Sequence, residues 1–243
     1  MPHRYFAQQV RGADAFLSPA DSRHLCVVLR GRPGEEVTVC DGAGTDYVCR
    51  LAQADPACCR LEILSSAPSV SEPSVRVKLY VGYPKSDKLE WIIQKAVELG
   101  AAEVVPFFSA FCVAAPKKEE QKNQRYNRIA FEAAKQAGRG VIPPVAMPLT
   151  YAQMLQSAAQ ADAALFCYEA AGAGSPPLHS RLENGVRSVS IITGSEGGFS
   201  PEEAAQASAA GLTPVGLGPR ILRCETAPLA ALAVVMALTG NLQ

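Results

Sequence analysis

The chain has little histidine, little tryptophan and no net charge. Its 243 residues include three histidines, one tryptophan and equal numbers of basic and acidic side chains, 23 of each. Without an excess of positive charge, the chain has no bulk electrostatic field that steers it toward nucleic acid. Any RNA or DNA site must therefore be a local basic patch.

The eight cysteines form no metal-binding pattern. None of them stands in a CxxC pair or in a Cys/His cluster with zinc spacing, and the three histidines, His3, His24 and His179, are far apart. We therefore expect no metal site. The cysteines are expected to be reduced and to pack as small hydrophobic side chains.

The sequence also lacks a secretory signal and a membrane-spanning run. The first residues, MPHRYFAQQV, are polar and contain no apolar stretch with a cleavage site. The longest apolar run, residues 227–238, is shorter than the roughly 20 residues that cross a bilayer. These absences predict a cytoplasmic protein with no membrane partner.

A Ser/Pro-rich stretch divides the chain. Residues 66–74 read SAPSVSEPS, a polar segment that continues neither a helix nor a central strand. Before it the basic side chains are seven arginines with no lysine, whereas lysine is common after it. We therefore predict two domains, residues 1–72 and residues 73–243.

The two domains have different hydrophobic patterns. The first contains short β-type runs, HLCVVL, EEVTVCD, DYVCRL and CRLEIL, separated by glycine-containing turns, which predicts a small β-barrel. The second alternates helix-length segments with apolar runs at residues 75–83, 104–108, 163–167, 188–193 and 214–217. That alternation is typical of an α/β domain with helices on both faces of a parallel sheet.

Two predicted helices carry basic stripes. One follows Ser86, its expected N-cap, and places Lys88, Trp91 and Lys95 opposite an apolar stripe. The other spans residues 123–138 within the only basic concentration of the chain, where residues 117–139 hold seven basic and three acidic side chains. Each stripe is either a phosphate-binding surface or an ordinary solvated face.

Two loops predict a ligand pocket. The glycine loop, GSEGGF at residues 194–199, leads into a capping box in which Ser200 is the N-cap and Glu203 the N3 residue. Its glycines match neither the dinucleotide fingerprint nor the phosphate loop, and Glu196 disfavours an anion, so a neutral or cationic ligand is favoured. The alternative is a tight turn with a good helix cap.

The arginine loop, LGPRILRCETA at residues 217–227, has the same style. It follows the last strand-like run and precedes the apolar segment near the end of the chain. The two loops can form opposite walls of one pocket, with Arg220, Arg223 and Glu225 at its mouth. Two unrelated turns with surface charges are the alternative.

The strings GSEGGFSPEE and LGPRILRCETAPLAAL resemble the paired cofactor loops of the RsmE family, the 16S rRNA uridine-N3 methyltransferases of the SPOUT superfamily. The similarity extends over nearly the whole chain, through HLCVVLRGRPGEEVTVCDGAG, PKSDKLEWIIQKAVELGA and RIAFEAAKQAGR. It implies a PUA-like, RNA-binding β-barrel followed by a SPOUT-type α/β methyltransferase domain with a C-terminal trefoil knot. It further implies a homodimer that binds S-adenosyl-L-methionine and acts on 16S rRNA, within the 30S subunit.

The resemblance also implies site residues. The expected cofactor contacts are Leu165, Tyr168, Glu169, Gly194, Glu196, Gly197, Gly198, Leu217, Gly218, Ile221, Leu222, Arg223, Thr226 and Ala227. The expected RNA contacts are Arg4, Arg30, Lys85, Lys88, Lys95, Arg125, Arg128 and Arg139.

The implied reaction requires that uridine N3 lose its proton before it can attack a methyl group. We expect Arg223 to stabilise the negative charge that develops on the uracil, and Glu225 either to orient the base or to take part in proton removal. The target base must also be unstacked to reach the methyl group.

This sequence departs from the family pattern at two places. Ser195 stands where the glycine loop usually has proline, and Ala110-Phe111 stands where a basic residue often follows the second strand. Three alternatives remain open: a SPOUT RNA methyltransferase with another target nucleotide, a non-catalytic rRNA-binding assembly protein, and a nicotinamide-dependent reductase. The last is disfavoured by the missing dinucleotide fingerprint.

Overall fold

The computed structural model describes residues 4–113, 118–169, 178–182 and 185–242. The chain forms two compact units. The barrel unit comprises the chain up to Glu72 together with Ala134–Ile142, and the sheet unit comprises Pro73–Ala133 and the chain from Pro143 onward. The barrel unit thus includes a short segment from well beyond residue 72.

Five strands close the barrel, in the order β1-β2-β5-β4-β3. Their bounds are β1 Arg4–Arg11, β2 Asp14–Leu17, β3 Glu36–Cys40, β4 Thr45–Gln53 and β5 Arg60–Pro68. Neighbouring strands are antiparallel except β1 and β3, which are parallel. Alternate residues point inward, so that Val37, Val39, Leu51 and Leu61 fill the interior. The predicted small β-barrel is confirmed.

The strand predicted for HLCVVL is wrong. Helix α1, Pro19–Arg23, is capped by Ser18, whose hydroxyl accepts the Asp21 N–H, and runs directly into a π-helical turn, His24–Val28. Leu25 is buried in the barrel core, whereas Val27 and Val28 are exposed. A short apolar run is ambiguous by itself, and here the strong cap and Pro19 start a helix that carries through it.

The sheet unit is built on six parallel strands, in the order β11-β9-β10-β6-β7-β8. Their bounds are β6 Arg76–Gly82, β7 Glu103–Phe108, β8 Leu149–Thr150, β9 Ala163–Cys167, β10 Ser188–Thr193 and β11 Thr213–Val215. The central strands β6 and β10 are buried along almost their whole length, as both faces of a parallel sheet are covered. The predicted α/β architecture is confirmed.

Helices connect these strands, and one more follows the last strand. Their bounds are α2 Lys88–Glu98, α3 Glu119–Gln136, α4 Tyr151–Ala158, α5 Pro201–Ala209 and α6 Ala227–Leu238, with a 3-10 turn at Leu178–Arg181. No helix among the described residues is both long and apolar enough to cross a membrane.

One predicted cap is confirmed and one is wrong. At α5 the Ser200 hydroxyl accepts the Glu203 N–H at 3.2 Å, and the Glu203 carboxylate accepts the Ser200 N–H at 3.0 Å. At α2 the N-cap is Asp87, and it makes no side-chain cap bond. Ser86 instead has φ +57°, a left-handed conformation that turns the chain just before the helix.

Candidate active site

A cavity of about 980 Å³ lies at the carboxyl ends of β9, β10 and β11. The last residues of these strands, Cys167, Thr193 and Val215, all line it. Because neighbouring parallel strands end at the same edge, the three loops that follow them meet there. The volume is that of a pocket for a ligand of cofactor size.

Most of the predicted cofactor residues line this cavity. Those that do are Tyr168, Glu169, Gly194, Glu196, Gly198, Leu217, Gly218, Ile221, Leu222, Arg223 and Ala227. The glycine loop and the arginine loop, which are distant in sequence, therefore form walls of one pocket. The alternative of two unrelated turns does not hold.

Three predicted contacts are not among the lining residues. Leu165 is fully buried in the middle of β9, where it pairs with Ile191 of β10 and Thr213 of β11. Gly197 faces Phe111, and Thr226 is an exposed residue at the start of α6. Since strand residues point into the sheet's faces, only the strand ends and the loops reach the cavity.

Several lining residues were not predicted as cofactor contacts. They are Cys167, Thr193, Ser195, Val215, Gly216, Pro219, Arg220 and Cys224. Each stands at a strand end, directly after one, or inside one of the two loops. The rule that ligands bind at strand carboxyl ends, applied to whole loops, would have found them.

Backbone approach explains the glycines around the cavity. A Cβ on Gly82, at the end of β6, would lie 2.5 Å from the Ser195 nitrogen. Gly198 has φ +65°, and a Cβ there would lie 2.6 Å from a carboxylate oxygen of Glu169. A side chain at Gly82 would push the glycine loop from its place, whereas one at Gly198 would displace the Glu169 carboxylate and strain a left-handed backbone.

A charged network joins the two loops. The Nζ of Lys88 lies 3.1 Å from Glu196 Oε1 and 3.2 Å from Glu225 Oε2, and it donates to Cys224 Sγ at 3.6 Å. The Cys224 thiol donates to Glu225 Oε2 at 3.2 Å. The Lys85 N–H donates to Glu196 Oε1 at 3.2 Å.

These contacts set the protonation states. Hydrogen bonds from the Cys224 thiol, the backbone and Lys88 lower the pKa of Glu225. At Glu196 partial burial raises the pKa of the carboxyl, but hydrogen bonds from backbone N–H groups and Lys88 outweigh it and lower that pKa. Burial and the bond to Glu225 raise the pKa of Cys224 to about 12. At neutral pH the two carboxyls are therefore charged and Cys224 is a thiol.

The two residues of the predicted catalytic pair, Arg223 and Glu225, have different surroundings. Arg223 is exposed and lines the cavity, and it takes part in none of the ion pairs among the described residues. Glu225 is half-buried and is held by Lys88 and Cys224. The arginine is thus available to a ligand, whereas the carboxylate is already engaged.

Besides Lys88 and Arg139, the predicted RNA contacts fall into two groups. Arg30, Lys85 and Arg128 are exposed. Arg4 bonds Asp46 and Ser69, Lys95 pairs with Glu98, and Arg125 pairs with Glu90 while its side chain stays 66% exposed.

Arg139 is not a surface contact, and that prediction is wrong. Its guanidinium is 5% exposed, and its Nε and Nη2 atoms donate to the Glu72 carboxylate at 2.9 and 2.7 Å. The basic stripe of α3 therefore does not extend to this residue. Among the described residues, no three His, Cys, Asp or Glu side chains cluster as a metal site would require.

Comparisons with known proteins agree along the whole chain. Residues 71–236 match the model of an RNA methyltransferase domain, and residues 17–63 match an RNA methyltransferase PUA domain. The ribosomal RNA small subunit methyltransferase E of Bacillus subtilis is 33% identical, over 96% of this chain and 95% of its own length. The protein of the same name from Synechocystis is 34% identical, over 95% of this chain and 75% of its own.

A solved structure has the same fold. The ribosomal RNA small subunit methyltransferase E from Neisseria gonorrhoeae, bound to S-adenosyl methionine, is 28% identical and aligns with a TM-score of 0.83 over 98% of both chains. Sequence identity over 96% of the chain, both domain models and the shared fold lead to one conclusion: the chain belongs to the ribosomal RNA small subunit methyltransferase E family.

Proposed function

We propose that this chain transfers a methyl group from S-adenosylmethionine to N3 of one uridine in 16S rRNA. The observation that carries the proposal is the cavity built by the glycine and arginine loops at the carboxyl ends of β9, β10 and β11. Family membership supplies the substrate class, and the cavity supplies a site for the methyl donor.

The residues present fit that donor. Val215, Leu217 and Leu222 offer apolar contacts for an adenine ring, and the exposed Glu169 carboxylate suits a cationic ligand. The buried Ser195 hydroxyl has no hydrogen-bond partner among the described residues, so a polar ligand atom can satisfy it. When bound, the cofactor supplies an electrophilic methyl group on a positively charged sulfur.

The chain's own residues must then prepare the uracil. Arg223 reaches the cavity without an ion-pair partner among the described residues, so we assign it the stabilisation of negative charge on the base as N3 loses its proton. Glu225 has a lowered pKa and is held by Lys88 and Cys224, which makes it a weak base. We therefore assign it an orienting role.

RNA binding uses exposed basic side chains on each unit. We assign Arg30 on the barrel unit, and Lys85, Arg125 and Arg128 on the sheet unit, to phosphate contacts. We further propose a homodimer, because α6 leaves Val234 and Leu238 exposed at 43% and 51%. From the family resemblance we also propose that the rRNA is methylated within the 30S subunit, in the cytoplasm.

One experiment tests the proposal. Purified protein is incubated with labelled S-adenosylmethionine and 30S subunits from cells that lack the endogenous enzyme, and the rRNA is mapped by mass spectrometry. A single N3-methyluridine in 16S rRNA is the expected result. A methyl group on another nucleotide would mean that the proposed target nucleotide is wrong. Absence of cofactor binding would overturn the proposal.

A further inference from the structure

Lys88 contacts both cavity loops at once. It stands in the first turn of α2, and its ammonium group meets Glu196 of the glycine loop and both Cys224 and Glu225 of the arginine loop. A lysine ammonium has three N–H donors. Its charge is already engaged by two carboxylates, and it also donates a hydrogen bond to the Cys224 thiol, so an RNA phosphate would have to compete with these partners.

We propose that Lys88 is a positioning residue that holds the two loops together in their cofactor-binding arrangement, rather than the RNA contact that its place in a basic stripe indicates. This inference rests on the proposed function. Both carboxylates lie against the same nitrogen, so removal of its charge leaves two negative groups close together. Their repulsion drives the loops apart, and the cavity between them loses its shape.

The test uses Lys88→Met, which keeps the length of the side chain and removes its charge. Affinity for S-adenosylmethionine and for its neutral product, S-adenosylhomocysteine, is measured by calorimetry without RNA. We expect both to weaken by about tenfold, as for residues coupled through one network. An equal loss for the charged and the neutral ligand identifies an effect on shape.

The control is Lys78→Met, which removes an ion pair with Glu103 at 2.9 Å in the same sheet unit. Its cofactor affinity is expected to match that of the unchanged protein. Lys88→Arg keeps the charge and the donors and should recover most of the lost affinity. Should Lys88→Met fail to fold, Glu225→Gln removes one of the two ion pairs of Lys88 and is expected to weaken the binding of both ligands, by less than Lys88→Met because no second carboxylate remains to repel Glu196.

Each contrary outcome has its own meaning. If Lys88→Met binds both ligands as the unchanged protein does but binds RNA more weakly, Lys88 is a phosphate contact and the inference is wrong. If the double variant Lys88→Met/Glu225→Gln is much weaker than either single variant, the two residues act independently, which also contradicts it. If the unchanged protein binds no cofactor, the proposed function falls and this inference with it.

A second observation concerns an exposed ring beside the same cavity. Phe111 is 48% exposed in the turn that follows β7. The turn is fixed by the Ala110 N–H, which donates to Glu203 Oε1 at 2.8 Å, and by the Cys112 N–H, which donates to the Ser109 carbonyl at 3.0 Å. The ring is therefore exposed on a turn that is itself held to the start of α5.

Phe111 lies directly against the glycine loop. A Cβ on Gly197 would be 2.6 Å from Phe111 Cβ and 3.4 Å from its Cγ, so glycine at this position makes room for the ring. The two neighbours of Gly197, Glu196 and Gly198, line the cavity. The ring thus stands one residue away from the wall of the proposed cofactor site.

We infer that Phe111 stacks on an unpaired base of the RNA substrate, an inference that also rests on the proposed function. A target base that leaves its helix exposes its neighbours, and aromatic side chains take up such bases by stacking. At this position the family resemblance leads one to expect a basic residue. An uncharged ring replaces an ionic contact with a contact that salt does not screen.

The variants are Phe111→Leu, which stays apolar without a flat ring, and Phe111→Trp, which keeps one. Phe111→Leu should raise the KM for RNA by about 5- to 150-fold, the range for loss of one base stack, with cofactor affinity and the salt dependence of binding unchanged. Phe111→Trp should retain the KM. Val113→Ala, at an apolar side chain that is 75% exposed on the same turn, is the control and should leave the KM unchanged.

Two results would contradict the stacking role. A normal KM in Phe111→Leu would show that the ring makes no important contact with RNA. Weaker cofactor binding or a change of oligomeric mass in that variant would assign the ring to the support of the glycine loop or to a protein interface. If the unchanged protein methylates no RNA, the proposed function fails first and the stacking role with it.

Discussion

Arg139 and Glu72 form a buried, two-pronged ion pair inside the barrel unit. The guanidinium donates through Nε and Nη2, and the same carboxylate also accepts the Gly140 N–H at 2.8 Å and the Val141 N–H at 3.1 Å. The pair therefore links the segment that follows α3 to Glu72, the last residue of the N-terminal part of the barrel unit. Its charges have little access to water, so neither partner is replaceable alone.

Arg139→Met should destabilise the protein by about 3 kcal/mol, because it leaves the Glu72 carboxylate without its partner. Chemical denaturation measures the change. The matched control is Arg50→Met, whose pair with Glu62 is about half exposed on both sides and should contribute less than about 1 kcal/mol. Equal losses in the two variants would contradict the buried role of Arg139.

The same pair predicts a loss of stability in acid. Burial raises the pKa of Glu72, but Arg139 and the two backbone N–H groups outweigh it and hold the pKa below its usual value. A carboxyl with a lowered folded pKa contributes fully above the usual glutamate pKa of about 4.3, and the contribution is lost as pH falls through the folded value. Denaturation at a series of pH values should show a smaller acid loss in Glu72→Gln.

Ser195→Ala tests whether the unpartnered hydroxyl binds the cofactor. We expect affinity for S-adenosylmethionine to fall by about 2- to 12-fold, the range for one hydrogen bond, without loss of stability. The affinity is measured by calorimetry and the stability by thermal unfolding. Unchanged affinity with increased stability would mean that the hydroxyl is only a buried polar group without a partner.

Glu225→Gln separates the two roles considered for this residue. An orienting carboxylate costs less than about 100-fold in kcat, whereas loss of a general base costs about 10²- to 10⁴-fold. We expect the smaller loss, because the lowered pKa makes Glu225 a poor proton acceptor. Single-turnover methylation of 30S subunits measures the loss. A loss greater than about 100-fold would mean that Glu225 accepts the proton from uridine N3.

Arg223→Met should reduce kcat by about 10²- to 10³-fold, since it removes the positive charge that faces the developing anion. Its activity should rise toward alkaline pH, where the uracil ionises without help. Arg220→Met, on the same loop and also at the cavity, serves as the comparison and should cost less. A flat pH profile in Arg223→Met would contradict the role.

Local signals in the sequence predicted much of this molecule. The capping box at Ser200 and Glu203, the parallel sheet and the two loops as walls of one pocket all follow from turn chemistry and apolar runs. The predictions failed where contacts between residues far apart in the sequence determine the structure. The burial of Arg139 depends on Glu72, 67 positions away, and the spacing of basic residues along α3 does not predict it. Lys88 likewise takes its ion-pair partners from two later loops, which the spacing of residues on α2 does not predict.

Two other predictions were wrong because of the local backbone conformation. Ser86 has the right side chain for a cap but a left-handed backbone, and HLCVVL has the right composition for a strand but continues a capped helix. The trefoil knot, which is implied only by resemblance, stays a prediction.

The discontinuity of the barrel unit has a consequence for its synthesis. Lys135 bonds Asp21, the Cys40 thiol donates to the Gly140 carbonyl at 2.9 Å, and Arg139 holds Glu72, so Ala134–Ile142 completes the contacts of residues translated long before. A fragment that ends at residue 72 lacks all three contacts and is expected to be a poor substitute for the native unit. As the chain emerges from the ribosome, the first domain to be translated must wait for part of the second before it can finish folding.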